Sequence, residues 1–178
     1  LDFWHGKPQK NKYCSYDEIG QYYMLFHNKA RYTGNLDFNG IPMLNYHGNI
    51  GVQYNPIAIS QWGLGNYNLY KKNNNSENYK NFISCSNWLV ENLVENKKGI
   101  YVWMHNFDWE YKSTLKAPWF SGLAQGQGLS VLVRAWKETN DEKYKNASHH
   151  VFKSLNTNID DGGVVYIDGK NQKWIEEY

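Results

Sequence analysis

The end of the chain carries functional groups that suit acid–base chemistry. Glu176, Glu177 and Tyr178 follow Trp174 and Ile175. Two carboxyl groups beside a phenol are groups that enzymes use to take up and release protons. The same Glu-Glu-Tyr sequence is also typical of a solvated surface segment. The residue types alone therefore leave both interpretations open.

Two further groups combine amides with aromatic or glycine residues at predicted helix starts. Gln125 and Gln127 lie in a glycine-rich stretch that follows Trp119, and Tyr54 and Gln61 flank another helix start. A buried amide costs free energy unless it finds a hydrogen-bond partner. These side chains therefore either bond neighbouring backbone or reach a polar ligand in a cleft.

An aromatic segment lies between these groups in the sequence. Flat aromatic faces stack on the C–H faces of sugars, and their polar edges tolerate water, so such a segment suits a carbohydrate cleft. Filling a protein core is the alternative role. The residues are Tyr101, Trp103, His105, Phe107 and Trp109.

Composition excludes several classes of protein. The 178 residues include 8 Trp, 15 Tyr and 7 Phe, and the net charge of +2 arises from scattered basic residues. This length suits a single domain, and the charge pattern argues against a nucleic-acid partner. No transmembrane segment or signal peptide is recognisable, and localisation is left unknown.

The sequence shows none of the common cofactor or metal motifs. There is no P-loop, no dinucleotide-binding glycine pattern, no nucleophile elbow and no zinc-binding spacing. The adjacent His149 and His150 point to different faces of a helix, which argues against a shared metal. Cys14 and Cys85 do not form a disulfide framework, although a single bridge between them is left open. We therefore expect no cofactor and assign no metal-binding residues, while metal content is left open.

Periodicity predicts the elements that would position these groups. Residues 1–52 form an irregular lead-in with one helix over residues 17–29, and residues 53–178 are mainly helical. The spacing predicts a helix from Pro56 to Lys72 with Asn55 as cap, and another from a Ser76 cap to Lys97. A third is predicted over 121–139, and a fourth, capped by Asn140 or Asp141, runs to Leu155. The sequence predicts a short strand over residues 100–109 and a hairpin over residues 164–175.

Four helices in two antiparallel pairs predict a mainly α protein of stacked helical hairpins. Such pairs could form part of an (α/α) toroid, whose helix ends and loops line a cleft. An irregular helical bundle is nearly as compatible with the periodicity.

Four stretches of the chain resemble the C-terminal catalytic region of the D-glucuronyl 5-epimerase family, which acts on heparosan-type polysaccharides. They are residues 54–64, residues 88–92, residues 119–135 and the final stretch from Trp174 to Tyr178. The third is the most specific of the four.

The resemblance implies an (α/α) toroid and inversion of carbon 5 of D-glucuronate units to L-iduronate. It assigns Glu177 and Tyr178 to the catalytic site, and we expect Trp119, Gln125, Gln127, Gln61 and Tyr54 to bind the uronate polysaccharide. A homodimer is left open.

The family pattern continues past Tyr178 with further catalytic tyrosines, an arginine and an asparagine. We therefore expect this chain to be a truncated single domain, an incomplete toroid that is inactive alone. A uronate polysaccharide lyase or uronyl hydrolase, and a non-catalytic glycan-binding module, are the alternative functions.

Overall fold

A computed structural model describes residues 9–46 and 48–177 and is mainly helical. The predicted catalytic residue Tyr178 lies outside these described residues. The helices are α1 (His27–Ala30), α2 (Pro56–Asn73), α3 (Ser76–Glu91), α4 (Gly122–Thr139) and α5 (Glu142–Ser154). Within the described residues, eight short strands form four two-stranded antiparallel sheets. The pairs are β1 (Met43–Asn45) with β2 (Val52–Tyr54), β3 (Val94–Glu95) with β4 (Tyr101–Val102), β5 (Trp109–Glu110) with β6 (Thr114–Leu115), and β7 (Val165–Ile167) with β8 (Lys173–Ile175). The mainly α class predicted from the sequence is confirmed. None of the described helices combines the length and the apolar character that crossing a membrane requires.

Helix α2 begins where the sequence predicts. The Asn55 side chain accepts hydrogen bonds from the backbone N–H groups of Ile57 at 2.8 Å and Ala58 at 3.1 Å. Pro56 occupies the first helical position, where no N–H partner is needed. The helix ends one residue past the predicted Lys72, at Asn73, and Asn74 then turns the chain with a φ of 52°.

Helix α3 differs from the prediction at both ends. Its N-cap is Asn75 instead of Ser76, and it ends at Glu91 instead of reaching Lys97. The Asn96 side chain accepts from the backbone N–H groups of Lys98 and Ile100, and this turn pairs β3 with β4. The hairpin takes up the residues that the periodicity assigned to the end of the helix.

The predicted strand over residues 100–109 is divided between two sheets. Its first part is β4 and its end is β5, and the two strands pair with different partners. Between them, His105 exchanges backbone hydrogen bonds with Trp119 at 2.7 and 3.1 Å. This pairing brings the aromatic segment alongside the approach to α4.

Helices α4 and α5 match the prediction closely. The Ser121 hydroxyl accepts from the Ala124 N–H at 3.1 Å, and Asp141 caps α5. Helix α2 packs against both α3 and α4, and α4 packs against α5. A Cβ on Gly128 would overlap the Trp103 ring, so this glycine in α4 permits close packing. The shared core contains Leu64, Tyr67, Phe82, Leu89, Trp103, Val131 and Leu132.

The predicted helix over residues 17–29 is wrong, because only the single turn α1 is helical there. Asn68 of α2 takes the backbone bonds that such a helix would use internally. Its Oδ1 accepts from the Tyr22 N–H at 2.7 Å, and its Nδ2 donates to the Met24 carbonyl at 2.8 Å. The backbone N–H of Leu25 donates to the Gln9 carbonyl. Tyr22 and Phe26 are still buried, as the apolar spacing suggested.

We expect Asn68→Ala to lower the free energy of unfolding by about 1–3 kcal/mol, because it leaves buried backbone groups without partners. Asn68 is fully buried, whereas Asn92 is exposed and its side-chain amide donates to the Trp88 carbonyl. Asn92→Ala is therefore the matched control, with an expected change within about 0.5 kcal/mol. Denaturant unfolding of both variants measures the difference. Equal effects would show that Asn68 does not anchor residues 22–25.

Candidate active-site groove

An open groove of about 520 Å³ lies where three segments of the chain meet. The first turns of α4 form its floor, and residues 22–23 and 175–177 form its walls. Its size is in the range typical of ligand sites. The described residues that line it are Tyr22, Tyr23, Gly122, Leu123, Gly126, Gln127, Ile175, Glu176 and Glu177.

The wall that carries Glu177 is fixed to the start of α4. The Gly122 N–H donates to the Glu176 carbonyl at 2.9 Å, and the Glu176 N–H donates to the Val164 carbonyl at 2.8 Å. A Cβ on Gly122 would overlap that Glu176 carbonyl oxygen and lie 2.5 Å from Ile175 Cγ2. Glycine at position 122 therefore allows the C-terminal segment to approach α4 and sets the position of Glu177.

The floor of the groove contains an open glycine and a buried amide. A Cβ on Gly126 would meet nothing within 4 Å, so the space above it is free. Gln127 is 6% exposed, and its Oε1 has no hydrogen-bond partner among the described residues. A buried polar atom without a partner is unusual in a folded protein. Its position on the groove suits an amide that serves a polar ligand.

The second wall is held by contacts to α2 and α4. Arg134 donates from Nε to the Gly20 carbonyl at 2.8 Å, and its guanidinium lies 5.3 Å from the centre of the Tyr22 ring. Burial raises the pKa of Tyr22 well above its usual value. The hydrogen bond and charge of Tyr23 add to this pKa rise, which Arg134 and a hydrogen bond with Gln127 oppose. Tyr22 therefore lies beside both Tyr23 and the floor amide.

The charged side chains of the described groove lining are acidic. Glu176 and Glu177 belong to its described lining, which includes no lysine, arginine or histidine. A uronate carboxylate needs a cation or several donors nearby to offset its charge. The described lining therefore provides carboxylates and hydroxyl groups, but no cation for such a substrate.

Trp119 lies in an aromatic cluster at the approach to α4. Its ring stacks on His105 with centroids 3.8 Å apart and planes 2° apart, and its Nε1 donates to the Phe107 carbonyl at 2.8 Å. Burial lowers the pKa of His105 to about 4, so this imidazole is neutral at neutral pH. The cluster is a packed aromatic surface, and Trp119 is not among the described residues that line the groove.

The remaining predicted binding residues also lie outside the groove lining. Tyr54 is 37% exposed and donates to Asp37 at 2.7 Å, and burial together with Asp37 raises the pKa of its phenol to about 12. Gln125 is fully buried and donates to the Ser121 carbonyl at 3.4 Å, while Gln61 is half-buried on α2. The structure thus places Gln127 and Glu177 in one groove, and leaves Tyr54, Gln61, Trp119 and Gln125 as predictions.

Tyr22 and Tyr23 were missed as candidate site residues. Their three-and-four spacing with Ile19 and Phe26 indicated one face of a helix, which assigned them to packing. The adjacent pair of phenols two residues after Gly20 was the available signal. Their approach to α4 depends on Asn68 and Arg134, which are distant in the sequence.

Comparison with known proteins supports the resemblance found in the sequence. Residues 95–178 match the family described as D-glucuronyl C5-epimerase C-terminus. A D-glucuronyl C5-epimerase of Caenorhabditis elegans is 39% identical over 97 residues, which cover 54% of this chain and 15% of the worm protein. An uncharacterised protein of Methanocaldococcus jannaschii is 24% identical over 145 residues, or 72% of this chain and 47% of that protein. The chain thus spans less than half the length of either relative, and the resemblance is confirmed over its C-terminal part.

Proposed function

From the match of residues 95–178 to the C-terminal region of the D-glucuronyl C5-epimerases, we propose that this chain forms part of the active site of a polysaccharide uronyl 5-epimerase. The reaction inverts carbon 5 of D-glucuronate units in a heparosan-type polymer to give L-iduronate. The observation that carries the proposal is the position of Glu177, which shares a groove with the buried amide of Gln127.

Glu177 is the proposed general base. The hydrogen on carbon 5 is adjacent to the substrate carboxylate, so its removal leaves an enediolate whose negative charge must be stabilised. The Glu177 carboxylate takes the proton, and the electron pair of the C5–H bond moves towards the carboxylate carbon. A proton then returns to carbon 5 from the opposite face, and this completes the inversion.

Further parts of the proposal extend beyond the groove. Tyr178 follows Glu177 directly and is the proposed donor to the substrate carboxylate or the intermediate. Trp119, Gln125, Gln61 and Tyr54 are proposed to bind other parts of the polymer. In this proposal the two helical hairpins, α2 with α3 and α4 with α5, form an arc of an (α/α) toroid.

A test of this proposal incubates the full-length protein with heparosan oligosaccharides in D2O. We expect deuterium at carbon 5 and new iduronate signals in the NMR spectrum. Ultraviolet absorbance from an unsaturated uronate would indicate a lyase instead. Oligosaccharide binding without deuterium incorporation would indicate a glycan-binding module, and either result would reject the epimerase.

Residues 1–178 alone are expected to give no deuterium incorporation. The described groove lining has no cation to offset the substrate carboxylate, and without that stabilisation the C5–H group is too weakly acidic to exchange. The measurement is NMR of the same oligosaccharides with the isolated chain, after circular dichroism has confirmed its helical content. Detectable exchange by the isolated, folded chain would contradict this expectation.

A further inference from the structure

Tyr166 and Trp174 form an exposed aromatic pair on the hairpin of β7 and β8. They are direct cross-strand partners, and they are 43% and 54% exposed. Residues opposite each other in an antiparallel pair project from the same face, with Cβ atoms about 5 Å apart. Neighbouring apolar side chains that face water in this way mark interaction sites. These two side chains are the aromatic platform.

The aromatic platform is continuous with the groove that holds Glu177. The Glu176 N–H donates to the Val164 carbonyl at 2.8 Å, which extends the register of β7 and β8 by one residue pair. Alternate residues of a strand share a face, so Trp174 and Glu176 lie on the same face, about 7 Å apart along the strand. Glu176 lines the groove. A polymer that leaves the groove along this strand therefore passes over the platform.

The indole of the platform is oriented by the turn of the hairpin. Its Nε1 donates to Oδ2 of Asp168 at 3.1 Å. The other oxygen of this carboxylate accepts from the backbone N–H groups of Lys170 and Gln172, both at 2.9 Å. The turn thus fixes the carboxylate, and the carboxylate fixes one edge of the ring while its face stays open. A side chain held in this way loses less conformational freedom when a ligand binds.

Two carboxylates lie beside the platform. Asp168 bonds the indole, and Glu176 shares its face. Lys173 lies on the other face of the hairpin by strand alternation, and Lys170 lies in the turn. Like charges brought together at a binding surface cost free energy. A uronate is therefore disfavoured on the platform, whereas an uncharged sugar ring stacks there without this penalty.

We propose that the aromatic platform binds an uncharged pyranose unit of the polymer whose uronate unit lies in the groove; this inference rests on the proposed epimerase function. The C–H face of the pyranose stacks on the Trp174 indole, and the Tyr166 hydroxyl bonds a sugar hydroxyl at the edge of the platform. In a heparosan-type polymer the uncharged unit is the N-acetylated hexosamine. The platform thus strengthens binding without contacting the reacting carbon.

The test compares KM with kcat for deuterium exchange at carbon 5, measured on a heparosan octasaccharide with the full-length protein. Losing a contact that is equally strong in the ground state and the transition state raises KM and leaves kcat unchanged. We expect Trp174→Ala to raise KM by about 10-fold and to change kcat by less than about twofold. Tyr166→Ala should raise KM less, because the indole is the larger and more exposed ring.

Two variants serve as controls. Trp174→Phe retains an aromatic face and loses the hydrogen bond to Asp168, so KM should stay within about threefold of the wild-type value. Phe152 is 58% exposed on α5 and is not among the described residues that line the groove, so Phe152→Ala should change neither constant. An unchanged KM in Trp174→Ala would overturn the platform. A fall in kcat as large as the rise in KM would also overturn it, because the hairpin would then only hold Glu177 in place.

NMR of the bound octasaccharide identifies the sugar on the platform. Aromatic ring currents should shift the C–H protons of hexosamine units with the wild-type protein but not with Trp174→Ala. Shifts confined to uronate protons would overturn the proposed sugar class. Calorimetric titration measures the affinity independently of the reaction. Affinity that depends on Trp174 without exchange at carbon 5 would retain the platform and reject the epimerase, whereas exchange without dependence on Trp174 would do the reverse.

Discussion

Glu177→Gln is expected to lower deuterium incorporation at carbon 5 by about 10²–10⁴-fold in the full-length protein, the range typical of a lost general base. Glutamine retains the size and hydrogen-bonding shape of the side chain but cannot accept the C5 proton. Substrate binding should change much less than the rate. NMR detection of carbon-5 deuterium, together with titration of a heparosan oligosaccharide, separates these two effects.

Glu176→Gln is the appropriate control for this experiment. Glu176 lies next to Glu177, lines the same groove and loses the same charge on substitution. Its backbone, which bonds Gly122 and Val164, is unaffected by the change. We expect Glu176→Gln to retain exchange within about tenfold, a difference of 1.4 kcal/mol in the barrier. A greater loss of exchange in Glu176→Gln than in Glu177→Gln would show that Glu176, and not Glu177, is the base.

The helical frame was predictable because its signals are local. Asn55, Pro56, Ser121 and Asp141 mark helix starts by their own side-chain chemistry, and the structure places each at the start of a helix. Asn74 and Asn140 end helices with a positive φ, which asparagine tolerates better than most residues. Such features depend on a few neighbouring residues, so the sequence alone is sufficient to locate them.

The lead-in segment was not predictable in the same way. The helical spacing of Tyr22 and Phe26 correctly indicated burial, but the backbone at Tyr22 is not helical and bonds Asn68, 46 residues further along. A buried asparagine in the middle of α2 gives no sign of which segment it will bond. The predicted end of α3 was wrong for a related reason. The pairing of β3 with β4 competes with a further helical turn.

The candidate site was only partly predictable for the same physical reason. Gln127 and Glu177 were chosen for their chemistry. They share a groove because Gly122 bonds Glu176, and the periodicity of the sequence does not reveal this contact. Tyr23 reaches the groove through long-range backbone bonds of its own segment. Residue chemistry therefore indicated which groups could react, whereas tertiary contacts determine which of them share a cavity.

Gly122→Ala tests whether that tertiary contact positions Glu177. The added methyl group would overlap the Glu176 carbonyl oxygen, so the C-terminal segment must move away from α4. Overpacking of this kind costs about 1–3 kcal/mol of unfolding free energy. A displacement of about 1 Å at a catalytic group lowers the rate by about 100-fold. We therefore expect Gly122→Ala to lose much more exchange activity than unfolding of part of the protein would account for.

Gly126→Ala provides the contrast one helical turn away. A Cβ there meets nothing within 4 Å, so no backbone has to move, and alanine favours the helix by up to about 1 kcal/mol over glycine. Thermal unfolding should show Gly122→Ala destabilised and Gly126→Ala unchanged or stabilised. If Gly122→Ala retains full exchange activity while its stability falls, the contact between α4 and Glu176 holds the fold together but does not set the position of the base.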